Sequence, residues 1–303
     1  MIDLHTIATE QRNPATTAID TLSTQDLVAL INQADKEVPL AVERILPALA
    51  TAVDETASRI RQGGRLFYIG AGTSGRLGIL DAAECPPTYN TDPQIVQALI
   101  AGGDSAVFTA KEGAEDSETA GARDLSSKEI SPVDTVVGLS ASGRTPYALG
   151  ALRYAASCGA YTIGITSSPA SPLAAVADLE LCAVTGPEVI TGSTRMKAGS
   201  AQKMILNILS TGVMIRLGKV YGNLMVDVKA TNEKLRERAK HIVADATGCT
   251  IKEAETALNA ASGKAKTAIV MLLLHVTAEQ ANARLERADG YIRRTLDGGN
   301  HDL

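Results

Sequence analysis

The sequence predicts a doubly wound α/β sandwich of about five parallel strands, followed by a small helical module. Three observations predict it. From residue 65 onward, short and nearly continuous apolar runs alternate with longer amphipathic stretches. That is the pattern of parallel strands buried on both faces and joined by crossover helices. Two Gly/Ser/Thr-rich segments follow directly on such runs, Gly70-Ala71-Gly72-Thr73-Ser74-Gly75-Arg76 and Ser140-Ala141-Ser142-Gly143-Arg144-Thr145-Pro146. Loops after parallel strands lie at the carboxyl edge of a sheet, where small ligands bind. Finally, the stretch from about His241 reads as helices alone.

Taken in order, residues 24–62 carry helical periodicity, with an apolar stripe of Val38, Leu40, Ala41, Ile45, Leu46 and Leu49 that Gly63-Gly64 stops. Strands are expected at 65–69, 95–100, 135–139, 161–165 and 179–184, with crossover helices between them. Thr145-Pro146 combines a hydroxyl N-cap with Pro at the first helical position. Residues 196–217 form a long helix, apolar over more than one face, and a charged helix starts at Asn232. Three short helices close the chain at 252–260, 265–275 and 278–288, with Thr250 and Thr277 as N-caps. The domain division falls at 1–235 and 236–303.

Composition narrows the function classes. With 45% apolar residues but only 3% aromatics and no Trp, the core is built from Ala, Leu, Ile and Val. A net charge of −5, without a basic block interleaved with aromatics, speaks against a nucleic-acid partner. Residues 1–18 lack a signal-peptide pattern and no apolar run reaches bilayer length, so a cytoplasmic protein without a membrane partner is expected. Cys85, Cys158, Cys182 and Cys249 are scattered, as are His5, His241, His275 and His301. Reduced thiols are expected, and neither a metal nor another cofactor.

A third segment, Gly186-Pro187-Glu188-Val189-Ile190-Thr191-Gly192-Ser193-Thr194-Arg195-Met196-Lys197-Ala198-Gly199-Ser200, brings hydroxyls, an Arg and a Lys to the start of the long helix. Helix starts attract anions, because first-turn N–H groups are unpaired and the dipole is positive there. Three such segments in one chain point to a phosphorylated small molecule. Gly72, Thr73, Ser74, Gly75, Ser140, Ser142, Gly143 and Thr145 are the candidate phosphate and sugar ligands, although Ser and Thr are also ordinary helix caps. Arg195 and Lys197 are expected to neutralise a phosphate or carboxylate, or to make an ion pair between subunits. Glu188 is expected to orient a sugar hydroxyl or a base.

These segments resemble the sugar isomerase (SIS) fold, and the third resembles the branch that holds glucokinase regulatory protein and the bacterial N-acetylmuramic acid 6-phosphate etherases. Asp81-Ala82-Ala83-Glu84-Cys85-Pro86-Pro87-Thr88-Tyr89, Glu112-Gly113-Ala114-Glu115-Asp116, Asn223-Leu224-Met225-Val226-Asp227 and Ala230-Thr231-Asn232-Glu233-Lys234 are similar to the etherases in particular. The resemblance spans residues 9–296; Ser200 stands where Thr is expected and Ala83 where Ser is common.

It implies a lyase that converts N-acetylmuramic acid 6-phosphate to N-acetylglucosamine 6-phosphate and D-lactate in amino-sugar recycling. Elimination suits this chemistry, because the proton on carbon 2 of the open-chain sugar is acidified by the aldehyde and the lactyl oxygen is a β-leaving group. A general acid and a general base are needed. The resemblance assigns Glu84 as proton donor to lactate and Glu115 as the second acid/base residue, with the order of their steps left open. Glu84 is expected at a helix end that Pro86-Pro87 breaks, and Glu115 in a helix beginning near Glu112; Asp81 and Glu112 are expected as caps or salt-bridge partners. The resemblance also implies a homodimer with the site near the subunit interface, and a C-terminal module like a small ubiquitin-associated bundle. A non-catalytic phosphosugar sensor is the alternative, though that relative has two sugar-binding domains where this chain has room for one.

Overall fold

The structure, a computed structural model, describes residues 7–228 and 233–298. The motif residues Ala230-Thr231-Asn232, with His5 and His301, lie outside the described residues. Two compact units are formed, one by residues up to 83 with 93–210, the other by 84–92 with 211 onward. The division falls inside the long helix rather than at 235, the bound expected from sequence.

In the first unit, three helices replace the single stripe over 24–62: α1 (Thr24–Asp35), α2 (Glu37–Glu43) and α3 (Leu46–Arg61), the last started by Pro47. The breaks rotate the stripe, so Val38, Ala41, Val42 and Leu49 are buried while Leu40 and Leu46 remain exposed, contrary to their expected core position. The sheet then follows in chain order: β1 (Leu66–Gly70), α4 (Gly72–Tyr89), β2 (Val96–Ile100), α5 (Ser105–Phe108), α6 (Glu118–Ser126), β3 (Thr135–Leu139), α7 (Pro146–Ser157), β4 (Tyr161–Thr166), α8 (Pro172–Val176), β5 (Leu179–Cys182) and α9 (Lys197–Arg216).

All pairings are parallel in the order β2-β1-β3-β4-β5, with Leu66 opposite both Val96 and Thr135. Central β1 and β3 are buried at every position, whereas the edge strands are partly exposed, as double coverage by helices requires. Arg65 lies just outside β1. Its backbone N–H and guanidinium both donate to the buried Asp134, whose carboxyl is lowered on balance: burial raises it, but the bonds from Arg65 and Ser131 outweigh that. The order 2-1-3-4-5 reverses direction between β1 and β3, which makes the crevice above those two strands the switch point where ligands bind.

The second unit is helical, with α10 (Glu233–Thr247), α11 (Ile251–Ala260), α12 (Ala265–Leu274), α13 (Ala278–Arg287) and α14 (Ile292–Leu296). Thr250 and Thr277 close full capping boxes with Glu253 and Gln280. Val226 and Val228 join its core, and Asp227 pairs with Lys266 at 2.7 Å and Lys219 at 3.4 Å. No single helix among the described residues is long and apolar enough to cross a membrane.

Candidate active site

Two connections flank the switch point, after β1 and after β3. The first is barely a loop. Gly72, in the left-handed region at φ +52°, turns the chain straight from β1 into α4, so Thr73, Ser74, Gly75 and Arg76 stand in the first turn of the helix. A Cβ on Gly75 would come within 2.6 Å of Ile100 and 2.8 Å of the Gly70 carbonyl, so only Gly lets this turn lie against β1 and β2. The earliest amides of α4, from Gly72 to Ser74, have no acceptor within the helix and lie at its positive dipole end, whereas the Gly75 N–H already donates to the Ala71 carbonyl at 3.2 Å.

After β3 the hydroxyls bond to one another. Ser140 Oγ lies 2.9 Å from Thr145 Oγ1, and Ser142 Oγ accepts the Arg144 N–H at 3.3 Å. Thr145 occupies the N-cap position before Pro146, yet its side chain caps nothing, contrary to expectation, because Ser140 holds it. Gly143 has φ +66° and lies so close to Ser171 that a Cβ would approach it to 2.3 Å.

The third segment differs from the anion cradle expected of it. Glu188 is fully buried, and its two oxygens accept the Lys197 and Ala198 backbone N–H groups at 3.0 Å each. The protein's own carboxylate therefore caps α9, and Glu188 is not turned toward a sugar. Lys197 is buried too, its ammonium donating to the Thr185 carbonyl at 2.6 Å, while Arg195 is exposed. The head of α9 nonetheless lies beside that of α4: Ser74 Oγ donates to Gln202 Oε1 at 2.9 Å, and Gly199 faces the Thr73 methyl.

Glu115 sits in a short 3₁₀ turn, Ala114–Asp116, after the left-handed Gly113, and not in a helix beginning near Glu112. Its turn lines a cleft of about 110 Å³ together with Gly72, Arg76 and Lys111. The cleft thus joins the head of α4 to a carboxylate far along the chain. The Glu115 carboxyl is pushed above its ordinary value, first by burial and then by the charges of Asp116 and Glu112. Arg76 is held in place by bonds to the Ala106 and Val107 carbonyls, both 2.8 Å. Lys111 was not singled out from sequence, since a lone Lys outside any motif carries no signal.

Glu84 is exposed on α4 and belongs to the second unit. The Pro pair does not break the helix there, as the sequence suggested. Pro86 and Pro87 lie within its last turns, where their missing N–H groups cost two bonds, and α4 ends at Tyr89 with Asn90 left-handed at φ +49°. Asp81, three residues before Glu84, is no cap. It is 4% exposed and accepts bonds from Tyr68 (2.9 Å), Asn207 (2.7 Å) and Ser210 (3.1 Å), and burial raises its carboxyl. A larger cavity of about 780 Å³, between α12 and α13 in the second unit, holds none of the expected site residues.

Comparison with known proteins gives the fold and the family. Residues 48–156 match the profile of the glucokinase regulatory protein N-terminal SIS domain, and residues 106–211 match the SIS domain. A phosphoheptose isomerase structure from Francisella tularensis superposes with a TM-score of 0.50 at 16% identity, over 64% of this chain and 100% of that one, which shows the fold. The N-acetylmuramic acid 6-phosphate etherase of Photorhabdus laumondii is 56% identical over 97% of this chain and 98% of its own length. That of Clostridium beijerinckii is 54% identical, covering 97% of both. With more than half of its residues shared along nearly its whole length, this chain belongs to the N-acetylmuramic acid 6-phosphate etherase family, on the SIS fold.

Proposed function

We infer that the protein cleaves the D-lactyl ether of N-acetylmuramic acid 6-phosphate, giving N-acetylglucosamine 6-phosphate and D-lactate in amino-sugar recycling. The observation that carries this reading is the 56% identity to an etherase over 97% of the chain. The phosphate is held at the crevice above β1 and β3 by the first turn of α4 (Gly72, Thr73, Ser74, Gly75) and by the Ser140-Ser142-Gly143-Thr145 loop. Hydroxyls and helix-start amides at a switch point support that role. Arg195, exposed beside this region, neutralises the phosphate or the lactyl carboxylate.

Glu115 is the base. A carboxyl raised by burial and by neighbouring acids binds a proton more strongly, as removal of the carbon 2 proton requires. Glu84 is the acid and protonates the lactyl oxygen as the bond from carbon 3 to oxygen breaks, leaving an unsaturated aldehyde. The second half reverses the roles. Glu84, now ionised, takes a proton from water as its oxygen adds to carbon 3, and Glu115 returns its proton to carbon 2.

We place the enzyme in the cytoplasm, where phosphorylated sugars are kept; its four free cysteines fit a reducing compartment. We also expect a homodimer that completes the site, supported by the exposed apolar side chains of Val28, Leu40 and Leu46.

The decisive measurement is D-lactate release from N-acetylmuramic acid 6-phosphate in oxygen-18 water, beside Glu84→Ala. Heavy oxygen in the sugar and a silent variant are expected. Heavy oxygen in the lactate would refute elimination; no lactate from folded protein would refute catalysis.

A further inference from the structure

One side chain where α4 and α9 begin side by side is left with an unmet donor. Gln202 lies in the second turn of α9 and is 1% exposed. Its Oε1 accepts the Ser74 hydroxyl proton, but its Nε2 is buried without a hydrogen-bond partner among the described residues. A buried unpaired donor is destabilising, a cost that an apolar side chain of similar shape would avoid. Packing alone does not account for an amide at this position.

Ser74 faces a related conflict. A serine hydroxyl has one proton. In the arrangement seen, that proton goes to Gln202, so Ser74 has none to give to an anion at the head of α4. A primary amide carries a donor and an acceptor on one flat group, and turning it over exchanges them. With the amide turned, Nε2 donates to Ser74 Oγ and the Ser74 proton is freed. The turned form leaves Oε1 unpaired in place of Nε2, so the two forms are close in cost. A phosphate oxygen tips the balance, since a hydrogen bond to a charged acceptor is about twice as strong as a neutral one.

We propose that Gln202 is a positioning residue that acts through Ser74: on arrival of a phosphate its amide turns over, donates to Ser74 Oγ, and so directs the Ser74 proton onto the phosphate. This rests on the reading of Ser74 as a phosphate ligand. Gln202 itself touches neither the sugar nor the breaking bond, so it sets affinity for the phosphorylated end and leaves the chemistry to other groups.

The test uses the full chain at pH 8, with inorganic phosphate and N-acetylglucosamine 6-phosphate as probes in calorimetry. Gln202→Glu can only accept from Ser74 and is expected to weaken binding of both probes at least tenfold. Gln202→Met leaves Ser74 free to donate and is expected to bind within about threefold of the parent. In a Ser74→Ala background, Gln202→Glu is expected to add less than a threefold loss. Steady-state kinetics should show KM rising in Gln202→Glu while kcat changes less than threefold, and thermal unfolding checks that each variant folds. Equal losses in Gln202→Glu and Gln202→Met would mean that the residue only packs, and would overturn the proposal. A full Gln202→Glu loss that persists without Ser74 would mean repulsion through space and would also overturn it, as would a parent protein that binds neither probe. Because these arms read binding, a parent that binds as expected but releases no lactate would sink the etherase reading alone.

Discussion

Asp81, Glu115 and Glu188 are all carboxylates, and their surroundings give each a different task. Glu188 faces two helix-start amides in a buried place and becomes a cap. Asp81 meets three side-chain donors and becomes a brace between β1, α4 and α9. Asp81→Ala takes this acceptor away from all three donors at once, and a loss of about 3 kcal/mol in urea unfolding is expected, with Asp81→Asn milder. Glu115, on a cleft with two acidic neighbours, keeps its proton to higher pH. As a base it must be ionised, so kcat/KM should fall as pH drops through a value above the ordinary 4.5 of a Glu. Asp116→Asn removes one of the raising charges and should move that acid limb to lower pH in a pH–rate profile. Glu84→Gln and Glu115→Gln should each lower lactate release by about 10²–10⁴-fold, the usual worth of general acid–base catalysis, with thermal unfolding little changed.

Elements are decided by their ends. Both N-caps of the helical module were legible because a Thr cap acts within one turn, and the structure completes each into a capping box; Thr250→Ala and Thr277→Ala should each cost about 1 kcal/mol of that unit's stability in thermal unfolding. Capping of α9 was not legible, because its carboxylate comes from Glu188, nine residues before Lys197, across an irregular segment. Glu188→Ala should cost about 3 kcal/mol, since two buried amides lose their acceptor at once. The start of β1 carries a pH signature. The Asp134 carboxyl is lowered on folding, so its contribution is fully present above the ordinary 3.8 and is lost as pH falls through the lower folded value. Arg65→Gln removes the main lowering partner, and its acid unfolding, followed by circular dichroism, should begin at a higher pH than in the parent.

At the scale of the whole molecule, the long helix shows how far apolar pattern can be read. Leu206, Leu209, Val213 and Met214 on α9 are buried within the single chain, while Ile208 and Ile215 are exposed. Most of its apolar surface is therefore core, and the homodimer proposed above would have to draw on other faces, Leu40 and Leu46 among them. Sedimentation of the protein should report a dimer, and Leu40→Lys with Leu46→Lys should shift it toward monomer and lower activity; a monomeric parent with full activity would contradict a shared site.

The sequence by itself determined the five strands to within two residues, the helices of the C-terminal module up to residue 288 with their Thr caps, and the family, but not the last short helix, Ile292–Leu296. Buried parallel strands and capping boxes are written in contiguous residues, and long motifs in fixed order are specific. The tertiary structure alone decided which candidates meet. It brought Gly72 and Glu115 to one cleft, joined Ser74 to Gln202, and turned Glu188 and Lys197 inward. Those outcomes depend on which donors and acceptors the packing of distant elements leaves unpaired. A residue's own neighbours in the chain do not carry that information.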